Sequence, residues 1–147
     1  MDKDKIDRIL DFLDTQKLTV ISTSSGDMPE AALVAFAQDE YLNIYFQTNE
    51  NTRKAKNLES NQSVAFVFGT SLDNPKTVQY NGTATRITDQ GEVENTKQLF
   101  LSKDSPTKQE FFDRPQTNIY KVKPTWIAYS DYSNGKPEVF ELTEFEK

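Results

Sequence analysis

A mainly β fold with peripheral helices, in the form of a small antiparallel barrel, is what these 147 residues predict. Three observations carry the prediction. Short apolar and β-branched runs recur along the chain, separated by clusters of turn-forming residues. Hydrophobic residues make up only 35% of the chain, yet 10 Phe, 6 Tyr and 1 Trp supply core volume as large rings, which suit pleated surfaces. Helical periodicity surfaces in only three places: at the start, after the third run and after the fifth. The length is that of one domain, with no repeat or linker, so residues 1–147 read as a unit.

Each element has a local reason. Ile6, Ile9, Leu10 and Leu13 fall at i, i+3, i+4 and i+7, one apolar face of a helix over residues 3–14, with Phe12 beside it. Leu18 to Thr23 is a β-branched strand that stops at the turn cluster Ser24–Pro29. Ala31 to Ala37 forms the second strand, Gln38–Glu40 turns the chain, and Tyr41 to Gln47 forms the third. Short loops between the three predict an antiparallel meander. A short helix follows, with Asn49 or Asn51 as its N-cap. Ser63 to Phe68 is a strand ended by Gly69, and Thr70 to Pro75 is a loop. Lys76 to Ile87 is a long strand with Gly82 as a bulge point. Asp89 to Leu101 is a helix, and Ser102 to Pro115 is irregular, with a helical turn around Phe111 and Phe112. Asn118–Lys123 and Thr125–Tyr132 are two strands bracketing Pro124, and Glu138–Leu142 is a last edge strand. The count is six or seven strands, and closing them into a barrel removes exposed edges.

Composition excludes many chemistries. The chain has no Cys, hence no disulfide framework, thiolate zinc site, iron–sulfur cluster or cysteine nucleophile. It has no His, hence no Ser-His-Asp catalysis and no His-ligated haem. Redox or transfer chemistry therefore requires a borrowed cofactor. A net charge of -6 disfavours nucleic acid and anionic membrane surfaces as partners. The charged N-terminus is no signal peptide, and the expectation is a cytoplasmic protein. The five glycines fit neither GxGxxG nor GxxxxGK[ST], so dinucleotide and P-loop sites are unsupported.

One segment runs against the acidic balance. In Thr48-Asn49-Glu50-Asn51-Thr52-Arg53-Lys54-Ala55-Lys56, three cations lie within four positions at a predicted helix start. Cations there oppose the helix dipole. A bound anion resolves the conflict: free backbone N–H groups, the Thr52 hydroxyl, Arg53 and Lys54 can converge on a phosphate. The alternative is that the cations pair with Glu50, Glu59 or other surface acids.

In context, this segment resembles the pyridoxamine 5'-phosphate oxidase-like family of FMN-binding split barrels. The chain reads Gln47-Thr48-Asn49, then Thr52-Arg53-Lys54-Ala55, then Leu58 and Asn61, with Gly82 late in the following long strand. The resemblance covers roughly residues 5–132. It implies a six-stranded antiparallel split β-barrel of the FMN-binding type, a homodimer with cofactor at the interface, and a small-molecule redox substrate. Lys54 and Arg53 would hold the FMN phosphate, with Thr52 nearby. Gln47 and Thr48 would meet the flavin or ribityl chain, and Leu33 and Val34 would line the ring with backbone groups. Thr77 falls where many members carry a Gln or Arg, and Trp126 or Tyr129 would pack on the cofactor. The oxidases proper carry an Arg and a Lys at about Ala32 and Ala37, and a C-terminal Arg-x-His that this chain lacks. The resemblance is therefore to the short bacterial general-stress, flavin-binding branch, without pyridoxamine phosphate oxidation. The leading expectation is a flavin-dependent oxidoreductase. The alternatives are a non-catalytic flavin or F420 binding protein, or a dimeric barrel that binds a protein partner.

Overall fold

The computed structural model describes residues 2–69, 73 and 75–145. Four residues of the predicted loop, Thr70, Ser71, Leu72 and Asn74, lie outside them. The elements run α1 (Lys3–Asp14), β1 (Leu18–Ser25), β2 (Met28–Ala35), β3 (Ala37–Gln38), β4 (Ile44–Asn49), α2 (Arg53–Ser60), β5 (Ser63–Phe68), β6 (Lys76–Ile87), α3 (Gln90–Ser102), a 3-10 turn (Gln109–Asp113), β7 (Thr117–Asp131) and β8 (Glu138–Leu142).

One antiparallel sheet curls into a half-barrel in the order β2-β1-β5-β6-β7-β4-β3, with β8 added on β7. The path thus holds seven strands among the described residues, within the six or seven counted from the sequence and one more than the family resemblance implied. The extra strand arises at Phe36. β2 and β3 stand at opposite ends of the sheet, yet only Phe36 separates them in sequence. The chain crosses from one edge to the other there, and the Phe36 ring, fully buried, meets the Phe68 ring edge-on at 4.7 Å. This bend also corrects the expected meander. β1 and β2 form a hairpin, but β4 pairs with β7 and β3.

The third strand starts later than its apolar pattern suggests. The Asp39 carboxylate accepts from the backbone N–H groups of Tyr41 (2.9 Å) and Asn43 (3.0 Å). It also accepts from the Asn43 side chain (2.8 Å) and the Tyr45 hydroxyl (2.9 Å). A short acid that captures backbone donors offers the chain a turn in place of a ladder. Leu42 is left-handed at φ 67, and β4 begins only at Ile44.

The two expected strands around Pro124 are one strand. Proline breaks a ladder by lacking an N–H, and here it sits where the ladder is already interrupted. The β6–β7 register shifts between Asn81 and Gly82, and Pro124 faces Gly82. A Cβ on Gly82 would lie 2.5 Å from the Lys123 carbonyl oxygen and 2.6 Å from a Val122 methyl, so only glycine fits this approach.

The main core fills the barrel. Phe46, Phe66, Phe68 and Tyr80 are buried, and Ile9, Phe12 and Leu13 of α1 belong to the same cluster. α1 keeps the predicted face, with Ile6 and Leu10 half-buried beside it. A second cluster lies on the outer face of β3, β4, β6 and β7. There Ala37, Tyr45, Ile87 and Ile119 receive Phe100 of α3 and Phe112 of the 3-10 turn, whose rings meet at 5.1 Å. Phe112 therefore packs this second core. No described helix is long and apolar enough to cross a membrane.

Candidate functional site

The two-residue turn at Gly26-Asp27 fixes the first part of the site. Gly26 adopts φ 59, and the hairpin register then sets Glu30 opposite Thr23 and Ala32 opposite Ile21. The backbone N–H of Phe36 donates to Lys17 (3.2 Å) just beyond the strand. In an antiparallel ladder hydrogen-bonded pairs alternate, so Ala31 and Leu33 turn their main-chain groups away from β1. Those groups face the open edge of β2.

The second part is the start of α2. Its N-cap is Thr52, not Asn49 or Asn51. The Asn49 side chain instead accepts from the Asn51 N–H (2.9 Å), making a turn ahead of the helix. Thr52 Oγ1 accepts from the Ala55 N–H (3.3 Å) and meets Thr48 Oγ1 at 3.0 Å. That contact ties the helix start to β4.

Between β2 and α2 lies a cleft of about 400 Å³, lined by Ile21, Thr23, Glu30, Ala31, Ala32, Asn51, Thr52, Arg53 and Lys54. The three cations at the helix start are not equivalent. Arg53 forms an ion pair with Glu30, so the reading that acids satisfy these charges holds for this residue. Lys56 is exposed. Lys54 is half-buried and has no ion pair or hydrogen bond among the described residues. Burial pushes its pKa below the ordinary lysine value. A desolvated cation without a counter-ion among the described residues, in a cleft with backbone donors, has the chemistry to hold an anion.

The cleft brings together three of the expected site residues, Thr52, Arg53 and Lys54. The others divide by sheet face. Leu33, Thr77 and Trp126 fall on the outer face by register, with Leu33 the most exposed of them at 63%. Val34 and Tyr129 are inner-face core residues, and Tyr129 stacks on Phe140 at 4.8 Å. Thr48 is buried beside the cap, and Gln47, one residue earlier on β4, takes the opposite face. Ala32 lines the cleft, whereas Ala37 is packed in the second core. Only the first of these neutral positions bears on the cleft.

Glu30 and Asn57 went unnoticed in the sequence. Asn57 is buried, and its side-chain amide donates to Thr23 Oγ1 (3.0 Å) and to Glu30 Oε1 (2.9 Å). Neither residue has a telling neighbour along the chain. The signal was the tight turn at Gly26, which fixes the register that aligns Glu30 with Thr23. Among the described residues no group of three or more acids could hold a metal ion.

Comparison with known proteins bears on the fold and the family. General stress protein 26 of Bacillus subtilis is 23% identical over 138 residues, covering 92% of this chain and 94% of that protein. The crystal structure of General Stress Protein 26 from Bacillus anthracis superposes with a TM-score of 0.68 at 23% identity, covering 94% of this chain and 98% of its own. A Clostridium acetobutylicum protein related to general stress protein 26, of the pyridoxinephosphate oxidase family, gives a TM-score of 0.70 at 16% identity, with 97% of each chain covered. The family model described as pyridoxamine 5'-phosphate oxidase matches residues 6–131, nearly the whole barrel, and the chain belongs to that family.

Proposed function

We propose that this protein binds FMN in the β2–α2 cleft and acts, as a homodimer, as a flavin-dependent oxidoreductase other than a pyridoxamine phosphate oxidase. The observation that carries the reading is Lys54, half-buried without a counter-ion among the described residues, at the rim of a cleft with an open strand edge. Lys54 and the Thr52 region would hold the phosphate, and the backbone of Ala31 and Leu33 would offer hydrogen bonds to the ring. The flavin, when bound, supplies two-electron redox chemistry that the side chains of a His-free, Cys-free chain do not. The protein's part is to seat the phosphate, orient the ring against β2 and exclude water from one side of it.

The outer sheet face supports the dimer. Leu33, Val20 and Val67 align in one row across β2, β1 and β5, and Leu18 and Ala35 form the adjacent pair. Leu18, Leu33 and Val67 are 45%, 63% and 43% exposed. A contiguous apolar row on an exposed sheet face is the kind of surface such a dimer would bury. In that dimer Thr77 and Trp126, on the same face, would come near the cofactor.

The experiment is the absorption spectrum of the purified protein before and after incubation with FMN and desalting, followed by anaerobic reduction with NADH and NADPH. Retained flavin bands and reduction by either nucleotide are expected. A protein that holds FMN but is reduced by neither favours a non-catalytic carrier. A protein that passes over FMN and retains F420 would move the cofactor assignment to the deazaflavin. Light scattering of Leu33→Asp, expected as a monomer, tests the seam.

A further inference from the structure

The proposed anion seat contains an acid. Glu30 stands on β2, two residues before Ala32, and its side chain is 21% exposed. One carboxylate oxygen takes the Arg53 guanidinium, and the other accepts from the Asn57 amide at 2.9 Å. Asn57 is itself pinned by Thr23, so the carboxylate is held from beneath, while its partner Arg53 is 74% exposed. Of the two cations lining the cleft, one is thus occupied by a protein carboxylate and one is not.

Resting on the FMN reading above, we propose that Glu30 is a built-in competitor of the cofactor phosphate. It withholds Arg53 from the anion seat until a phosphate takes the guanidinium over, and so sets how strongly the protein distinguishes a phosphorylated flavin from its dephosphorylated form. A phosphate monoester carries roughly −1.5 to −2 charge at neutral pH. Lys54 alone balances about half of that. To recruit Arg53 the phosphate must break an existing charge-assisted contact and approach a carboxylate of like sign. Riboflavin has the same ring and ribityl chain without the phosphate, so Glu30 leaves its binding unaffected. The Asn57 anchor makes Glu30 a fixed part of the site, not a surface acid that swings aside.

The test is titration of FMN and riboflavin, by flavin fluorescence, into the full-length protein and its variants. Glu30→Gln keeps an acceptor for Asn57 and removes the charge. It is expected to tighten FMN about tenfold and leave riboflavin unchanged, as a lost like-charge contact of about 1.4 kcal/mol would do. Glu59→Gln, the same charge change at the far end of α2, is expected to do neither. Arg53→Gln is expected to weaken FMN more in the Glu30→Gln background than in the native one, because only there is Arg53 already free. FMN binding seen only once Glu30 is neutralised would be the strongest form of support. Equal shifts for FMN and riboflavin, an equal effect of Glu59→Gln, or additive Arg53 and Glu30 substitutions would overturn the proposal. If Lys54→Ala still weakens FMN in that case, the flavin reading survives it. If no variant binds either flavin, both fall together.

Discussion

Replacing Lys54 by Met should make the free protein more stable and the cofactor-loaded protein less so. Lys54 is desolvated without a partner among the described residues, and burial lowers its pKa. The sign follows from linkage. A lysine with a folded-state pKa below its unfolded value binds fewer protons when folded, so stability rises with pH through that interval. Below it the full penalty is present. Lys54→Met removes the penalty and keeps the aliphatic stem, so the free variant should gain stability at neutral pH, by an amount that solvent screening keeps small. The gain should shrink as pH rises toward 10.5, the ordinary lysine value. With FMN the order reverses. The lost bond is charge-assisted and worth about 1.5–3 kcal/mol, so Kd should rise about 10- to 150-fold. At a hundredfold excess of FMN over its Kd, the native protein gains about 2.7 kcal/mol. At about 3 °C per kcal/mol for a chain of this size, that is a rise of about 8 °C in Tm. The assay is thermal unfolding of both proteins at several pH values, with and without FMN. An equal FMN-induced rise in the two proteins would refute the assignment of Lys54 to the phosphate. A less stable free variant would refute the claim that its charge is uncompensated.

Three further outcomes are expected. Gly82→Ala should cost about 1–3 kcal/mol, on the scale of overpacking, because its Cβ would press on the Lys123 carbonyl and a Val122 methyl; urea unfolding checks it, and an unchanged midpoint would mean the bulge can open. Thr52→Ala should cost about 1 kcal/mol through the lost cap and the orphaned Thr48 hydroxyl, whereas Asn49→Ala and Asn51→Ala should cost less, since neither caps α2 in the structure. Lys103 contacts the Leu13 carbonyl (3.0 Å), the Gln38 side chain and the Phe36 ring (3.6 Å), and burial brings its pKa down to about 7. Its depressed pKa makes stability rise between about pH 7 and 10.5, and Lys103→Met should flatten that rise in Tm.

Most of the strand and helix pattern was legible in the sequence because its causes are local. The period of Ile6, Ile9, Leu10 and Leu13, the β-branched runs and the turn clusters each act within a few residues. The places that read wrongly are those where a distant partner decides. Pro124 looks like a strand end until Gly82 supplies the bulge opposite it. Tyr41 and Leu42 look like strand until Asp39 gathers the backbone donors around Asn43.

For the candidate site the division is the same. The sequence by itself determined that cations crowd the start of a short helix, that Thr52 stands among them, and that no Cys or His is available for chemistry. Those are facts of order and composition. Only the tertiary structure decided which cation is free. Arg53 and Lys54 are neighbours with the same charge, yet Arg53 meets Glu30, 23 residues earlier, and Lys54 meets no acid among the described residues. The hairpin register brings Glu30 over α2, and no local pattern encodes that meeting. A charge has the same type wherever the chain carries it, but whether it is balanced depends on what the fold sets beside it.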